Sequence, residues 1–494
     1  MKKKGENKNK GTKLKIDSVL AIFLIIIFLS SAIKILSYST RPVHHDEAVY
    51  NFLSKKFLEK TYSYDPEYHG PLMFMLQGLG IKIFGDNING LRLIYLIFSI
   101  SSLIFLILLK NDFETEKFLT LTILFSFSPV INYYSSYACW ESGFLFFYIL
   151  FLVSTIKIIR GKTNFIFLLS ASSALMIATY ESAIIILLAT IFLFMLFFNN
   201  EIKSKIKSIL KNKKEKRIFF IKALVASAIF VSTILLLFSV FFTQNPINNI
   251  SKMISYNLKK TYTTGHNKPF YYYFVKILPL ELPALVLFIY SLMLHAELFF
   301  KARKNFRKKE IRENEIFFFL AIIILAVLSI MPYKVPWLSF LYLPPFIFFS
   351  ATAFKQDKKS QSLFRLLLIL TASFLFITTI RLNFYDYDSI ENTLAYVQAT
   401  RELPKTINKI MLKNPQIGLI ISKEYWPLPW YFRNITVDYY SKKPEYKINY
   451  EKFDFVITDK ETYDEIKNEN SLSAFNVETF EIRPYVWLYL FLKV

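Results

Sequence analysis

Apolar runs of roughly 17 to 25 residues recur along most of this 494-residue chain, each long enough to cross a bilayer. They constrain the fold more than any motif. A segment surrounded by lipid must satisfy its own backbone polar groups, so each such run is read as a helix. Runs near 17–38, 88–109, 117–134, 140–158, 163–179, 182–198, 218–242, 271–298, 316–331, 336–353 and 362–380 give about eleven spans. The expected fold is therefore mainly α, a polytopic membrane protein. The net charge of +23 would suit nucleic acid, yet Lys and Arg crowd into short loops between the apolar runs, where they orient membrane helices. From Leu382 onward the chain holds 14 basic and 16 acidic residues, so the excess belongs to the membrane part and no nucleic-acid partner is expected. Cys139 is the only cysteine, which excludes an intrachain disulfide.

Charge also sets the orientation. Seven lysines precede Ile16 and place the basic segment 1–16 in the cytoplasm. The first apolar run is long for a signal-peptide core and shows no small-residue cleavage site, so it reads as an uncleaved helix. With eleven spans, the clusters "KSKIKSILKNKKEKR" (203–217), "KARKNFRKKEIR" (301–312) and "KQDKKSQSLFR" (355–365) all fall inside. A single helix over 163–198 would reverse that pattern, so a break is expected at "TYES" (Thr179–Ser182). The odd count puts the tail outside the cell membrane. Three parts follow: 1–16; a transmembrane part, 17–381, with an external loop 39–87; and an external soluble α/β domain, 382–494. In the tail, "IGLIIS" (417–422) and "FDFVITDK" (453–460) read as buried strands, with a helix around 391–413. Pro71–Phe84 is apolar but short and reads as interfacial. Two sequons, at Asn249 and Asn434, are expected outside and open to glycosylation.

This topology gathers the unusual polar residues at one membrane boundary. His44, His45, Asp46, Glu47, His69, Glu141, Glu181, His266, Lys268 and Lys334 all fall at expected external span ends or loops. Ionisable groups there are costly and mark sites. Two readings of "HHDE" stand side by side: a helix cap, since Asp46 and Glu47 suit a helix N-terminus, or a reactive centre. Glu141 and Glu181 can equally be solvated helix ends. Metal binding by His44, His45 and Asp46 is a third reading, weakened because adjacent residues rarely converge on one ion; no metal or other cofactor is expected. A carboxylate at the outer face can take a proton from an acceptor hydroxyl. Nearby Lys, His or Arg can hold a lipid phosphate as it leaves. Trp337, Trp426 and Trp430 can stack on sugar rings. With 11 glycines and no Gly-rich phosphate loop, a soluble nucleotide donor is not expected.

The phrases "DEAVYNFLSKKFLEK", "YDPEYHGPLMFMLQGLGIKIFGDNINGLRL", "SPVINYYSSYACWES", "ATYESA", "GHNKPFYYY", "PYKVPWL" and "YWPLPWYFR", in that order from about residue 17 to the C-terminus, resemble the GT-C membrane glycosyltransferases. That superfamily includes the dolichyl-phosphate-mannose–protein mannosyltransferases. Together the phrases look like an archaeal branch of that superfamily, associated with flippase activity. The resemblance implies transfer of a sugar from a polyprenyl (dolichyl) phosphate to a glycan or protein acceptor, with Asp46 catalytic and Glu47 its partner. His69, in "HGPL", stands where relatives place a basic residue that binds lipid phosphate; Arg92, Lys334, His266 and Lys268 are further donor-binding candidates. Glu141 and Glu181 stand at acidic positions of relatives, with Tyr180 replacing a lysine. A non-catalytic component that binds or helps translocate lipid-linked sugars is the alternative.

Overall fold

The structure, a computed structural model, describes residues 17–260, 266–301, 309–353 and 361–494. The basic segment 1–16 and most of the stretches 301–312 and 355–365 lie outside the described residues. Helices follow one another as α1 (Ser18–Thr40), α2 (His45–Leu58), α3 (Leu72–Phe84), α4 (Ile88–Ile104), α5 (Thr115–Phe127), α6 (Pro129–Tyr134), α7 (Trp140–Ile159), α8 (Ile166–Thr179) and α9 (Ala183–Lys211). The series continues with α10 (Lys213–Phe238), α11 (Pro246–Lys260), α12 (Leu282–Lys301), α13 (Lys309–Ile330), α14 (Ser339–Ser350), α15 (Gln361–Ile380) and α16 (Leu403–Met411).

Among the described residues, seven helical stretches are long and apolar enough to cross a membrane: Ser18–Thr40, Ile88–Leu109, Trp140–Ile159, Lys213–Phe238, Tyr273–Ala296, Glu313–Ile330 and Arg365–Tyr385. The chain is a multi-pass membrane protein. Shorter apolar helices supplement these at Leu72–Phe84, Thr163–Thr179 and Ala183–Asn199. The run 117–134 is not one helix. Pro129 has no N–H to continue α5, and the Ser128 hydroxyl caps α6 by accepting Ile131 N–H at 3.1 Å. The run 336–353 is likewise short and irregular. α14 carries Pro344 and Pro345, and all its residues are buried. The break in 163–198 falls where the lysine pattern requires it: Tyr180 is extended, and α9 begins at Ala183.

The tail is an α/β layer structure. Strands β1 (Ile417–Ile421), β2 (Thr436–Tyr440), β3 (Phe455–Thr458), β4 (Phe475–Arg483) and β5 (Val486–Lys493) form one sheet ordered β2-β1-β3-β5-β4. The first three are parallel; β5 runs antiparallel to β3 and β4. Alternation along β1 sends Ile420 to one face, against Leu403, Ile407 and Ile410 of α16, and Leu419 and Ile421 to the other, with Ile466 and Leu472. The helix expected over 391–413 is confined to α16. Residues before it are spent on contacts with the membrane part: Gln398 Nε2 donates to Pro42 O at 3.2 Å, and Tyr134 OH donates to Leu394 O at 3.3 Å.

The two parts are tied together at residues 41–43, immediately before "HHDE". Arg41 donates to Asn383 O (3.3 Å) and Oδ1 (2.8 Å) and lies 4.1 Å above the Tyr133 ring. Val43 N donates to Tyr431 OH at 3.0 Å. Of the sequons, Asn434 is exposed, whereas Asn249 is buried and its amide donates to Phe238 O (2.8 Å) and Gln244 Oε1 (3.0 Å). Asn249 is thus closed to modification, contrary to expectation.

Candidate active site

The stretch "HHDE" divides between the two readings left open. His44 is the N-cap of α2: its extended backbone starts the helix, and its Nδ1 accepts Asp46 N–H at 3.1 Å. Glu47 closes the cap by accepting His44 N–H at 2.8 Å. The Glu47 carboxylate then accepts Arg92 Nε at 2.7 Å, Arg92 Nη2 at 2.6 Å and Ala138 N–H at 2.5 Å. Arg92 gives its remaining donors to the carbonyls of Tyr38, Arg41 and Pro42. Glu47 is 0% and Arg92 1% exposed, so neither reaches a ligand. This corrects the assignment of Glu47 as a catalytic partner and of Arg92 as a phosphate contact: each is the other's buried counter-ion.

Asp46 points the other way, with 39% of its side chain accessible. It faces a cavity of about 380 Å³ lined by His45, Tyr50, Glu67, Tyr68, His69, Trp140, Tyr256, His266, Tyr333 and Trp337. His45 Nδ1 lies 2.8 Å from Asp46 Oδ1. His69 is held in a left-handed conformation, φ 70°, with Nδ1 3.2 Å from Glu181 Oε1 and its ring edge-on to Tyr180. The next residue must be glycine. Gly70 lies against the end of α8, and a Cβ there would stand 2.1 Å from Ala178 O. "HGP" and "TYES" therefore dock as one unit, with Gly70 N donating to Thr179 O.

A second, apolar groove of about 270 Å³ adjoins this cavity. Ile184, Ile185, Met253, Ile254, Leu258 and Leu328 line it together with Glu181 and Tyr333. Tyr333 lines both spaces, and Glu181 lines the groove while pairing with His69 of the polar cavity.

The other candidates are spread around these spaces. His266 lines the cavity and hydrogen-bonds Tyr396. Trp337 lines it too, edge-on to Tyr396. Trp426 stands near the mouth, 6.4 Å from the His45 ring. Trp430 is buried beneath the Arg433 guanidinium, 4.1 Å from it, and no sugar can stack there. Lys334 is buried and clips the His266 loop: its ammonium donates to Lys268 O at 3.1 Å and to Met331 O. Lys268 lines a neighbouring cavity with Lys276 instead. Glu141 is buried at the start of α7, its Oε2 without a hydrogen-bond partner among the described residues. No lysine or arginine is among the described residues lining the Asp46 cavity; three histidines are the groups there able to become cationic. Tyr256 lies on the amphipathic helix α11, outside every phrase singled out in the sequence, whereas Glu67 lies in "YDPEYHGPL", where the histidine drew the notice. Trp140 and Tyr333 sat within phrases already singled out.

Burial works to raise the Asp46 carboxyl, but the His45 hydrogen bond and the neighbouring imidazoles outweigh it, and Asp46 is held below the usual carboxylate range. Burial pushes His44 down to about 4, against the pull of Asp46 and Glu47, so His44 is neutral near pH 7. His44, Asp46 and Cys139 bring possible ligand atoms within 4.8 Å of one another. His44 Nδ1 is already occupied by Asp46 N–H, which weakens the set as a metal centre.

A family model described as dolichyl-phosphate-mannose-protein mannosyltransferase matches residues 68–235. No curated protein matches in sequence. The crystal structure of apo ArnT from Cupriavidus metallidurans superposes with a TM-score of 0.66 at 12% identity, over 97% of this chain and 99% of that one. ArnT bound to undecaprenyl phosphate gives 0.63 at 12% identity, over 97% of each chain. The chain shares the fold of ArnT over nearly its whole length.

Two outcomes follow from the cap. Arg92→Gln strands a buried carboxylate and should lower unfolding stability in detergent by about 3–5 kcal/mol; Glu47→Gln in the same chain should recover part of that loss. His44 has a folded value of about 4 against 6.5 when unfolded, so its contribution is fully present above pH 6.5 and is lost as pH falls toward 4. Thermal melts should show that acid limb, and His44→Asn, which keeps a cap acceptor, should flatten it.

Proposed function

We propose that this protein is a membrane glycosyltransferase that moves a sugar from a polyprenyl (dolichyl) phosphate to a hydroxyl or amide acceptor at the tail-bearing face. That face is taken as the outer one, with the N-terminus in the cytoplasm and the chain in the cell membrane. The observation that carries the reading is a half-open carboxylate, Asp46, in a polar cavity that meets an apolar groove at the His69–Glu181 pair. A lipid-linked sugar has that same division: an isoprenoid chain for the groove, a phosphate at the junction and a sugar for the cavity. The likeness to ArnT, which has been crystallised with undecaprenyl phosphate, supports the donor class. The family model over residues 68–235 supports sugar transfer.

In this mechanism Asp46 accepts the proton of the acceptor as its heteroatom bonds to the sugar C1. The C1–O bond to phosphate breaks, and the lipid phosphate leaves with that electron pair. A carboxylate this acidic is a weak base; it stays ionised, orients the acceptor and takes the proton late. His69, oriented by Glu181, meets the phosphate as a hydrogen-bond donor, with His45 and His266 across the cavity. The chemistry needs neither a nucleotide nor a metal ion. The acceptor is a lipid-linked glycan or a protein, in N-glycan or surface-glycan assembly. The order of sequence phrases supports the archaeal, flippase-associated branch.

The test is the glycan composition of cells in which Asp46→Asn replaces the native residue, with membrane insertion verified. Lipid-linked and protein-linked glycans are read together by mass spectrometry. One sugar should disappear while the shortened glycan still reaches protein, and transfer by the purified native chain should survive EDTA. Accumulation of complete, untransferred lipid-linked glycan would instead mark a translocation component. Metal-restored activity after chelation would return His44, Asp46 and Cys139 to consideration as ligands.

A further inference from the structure

A second polar cavity, of about 420 Å³, opens at the far end of α2 from Asp46. Its lining is almost wholly amide, hydroxyl and ammonium: Lys60, Ser63, Thr243, Asn245, Asn248 and Lys252 surround a floor of Tyr62, Gln244 and Asn249. The floor is built in advance. Gln244 donates to Tyr62 O at 2.8 Å, and its Oε1 accepts Tyr64 N–H at 3.2 Å and Asn249 Nδ2 at 3.0 Å. That joins the first loop to α11. Lys60 adopts φ 60° at the end of α2, a position that favours glycine. No carboxylate lines the cavity, and neither Lys60 nor Lys252 has an ion-pair partner among the described residues.

α11 connects this cavity to the first. Asn245 just precedes the helix; Asn248, Lys252 and Tyr256 follow it at helical spacing along one face, and Tyr256 lines the Asp46 cavity. At 1.5 Å per residue, Asn248 and Tyr256 are about 12 Å apart along that face. One strip of hydrogen-bonding groups thus runs from a cationic cavity to the carboxylate.

We infer that the second cavity is an acceptor subsite for an anionic saccharide, one bearing a phosphate or a uronate, whose far end lies along α11 while its reactive hydroxyl meets Asp46. Amides and hydroxyls suit sugar hydroxyl groups, and two unpaired lysines suit a negative substituent. The inference rests on the transferase reading for its acceptor role, but the binding does not require catalysis.

The full chain in lipid nanodiscs is titrated calorimetrically with tetragalacturonate, with pentamannosyl phosphate and with neutral mannopentaose. An anionic probe should bind more tightly than the neutral one. Lys60→Gln with Lys252→Gln should weaken it roughly tenfold or more, and the paired Arg variants should restore it. Lysine-independent binding, or no binding of either anionic probe, overturns the subsite and leaves the transferase reading standing. Conversely, retained transfer in Asp46→Asn overturns that reading while lysine-dependent binding stands.

Discussion

The buried pair between Glu47 and Arg92 is the contact on which the site's geometry depends. One guanidinium gathers the carbonyls of Tyr38, Arg41 and Pro42 while it neutralises a carboxylate with no access to water. That carboxylate in turn fixes the first turn of α2 and the backbone at Ala138. An ion pair in such surroundings contributes little net stability, since desolvation offsets the attraction. Its effect is placement. With Glu47 held from below, Asp46 has one direction left to face.

The membrane helices were legible because long apolar runs have few alternatives, and lysine placement resolved the doubtful break at Tyr180. Where the reading failed, local chemistry overrode length: Pro129 and the Ser128 cap split one expected span, and two prolines shorten α14. The tail's β1 and β3 were visible as continuous apolar runs buried on both faces. β4 and β5 form a hairpin at the sheet edge, with exposed Val477 and Trp487 interrupting the pattern.

At the site, residue type showed which side chains were unusual but not what each would touch. Asp46, His69, His266 and Trp337 do meet in one cavity. Arg92, Lys334 and Lys268 looked the same in sequence as phosphate ligands would, because a cation's partner is a three-dimensional fact. Two of them are spent on buried oxygens, and the third faces elsewhere. The proposed contact with phosphate falls to imidazoles, so a strongly basic chain has an Asp46 cavity without a permanent positive charge among its described lining residues.

The clamp at residues 41–43 carries a consequence for biosynthesis. "HHDE" leaves the ribosome among the first segments, whereas Asn383, Gln398 and Tyr431, which hold the residues just before it, are translated hundreds of residues later. Through most of synthesis the future site is a loop awaiting its last supports. A chain arrested after its final membrane helix would have Arg41 held by Asn383 and the α2 cap held by Arg92, but Pro42 and Val43 would still lack Gln398 and Tyr431. The tail thus ensures that the site is completed only at the end of translation.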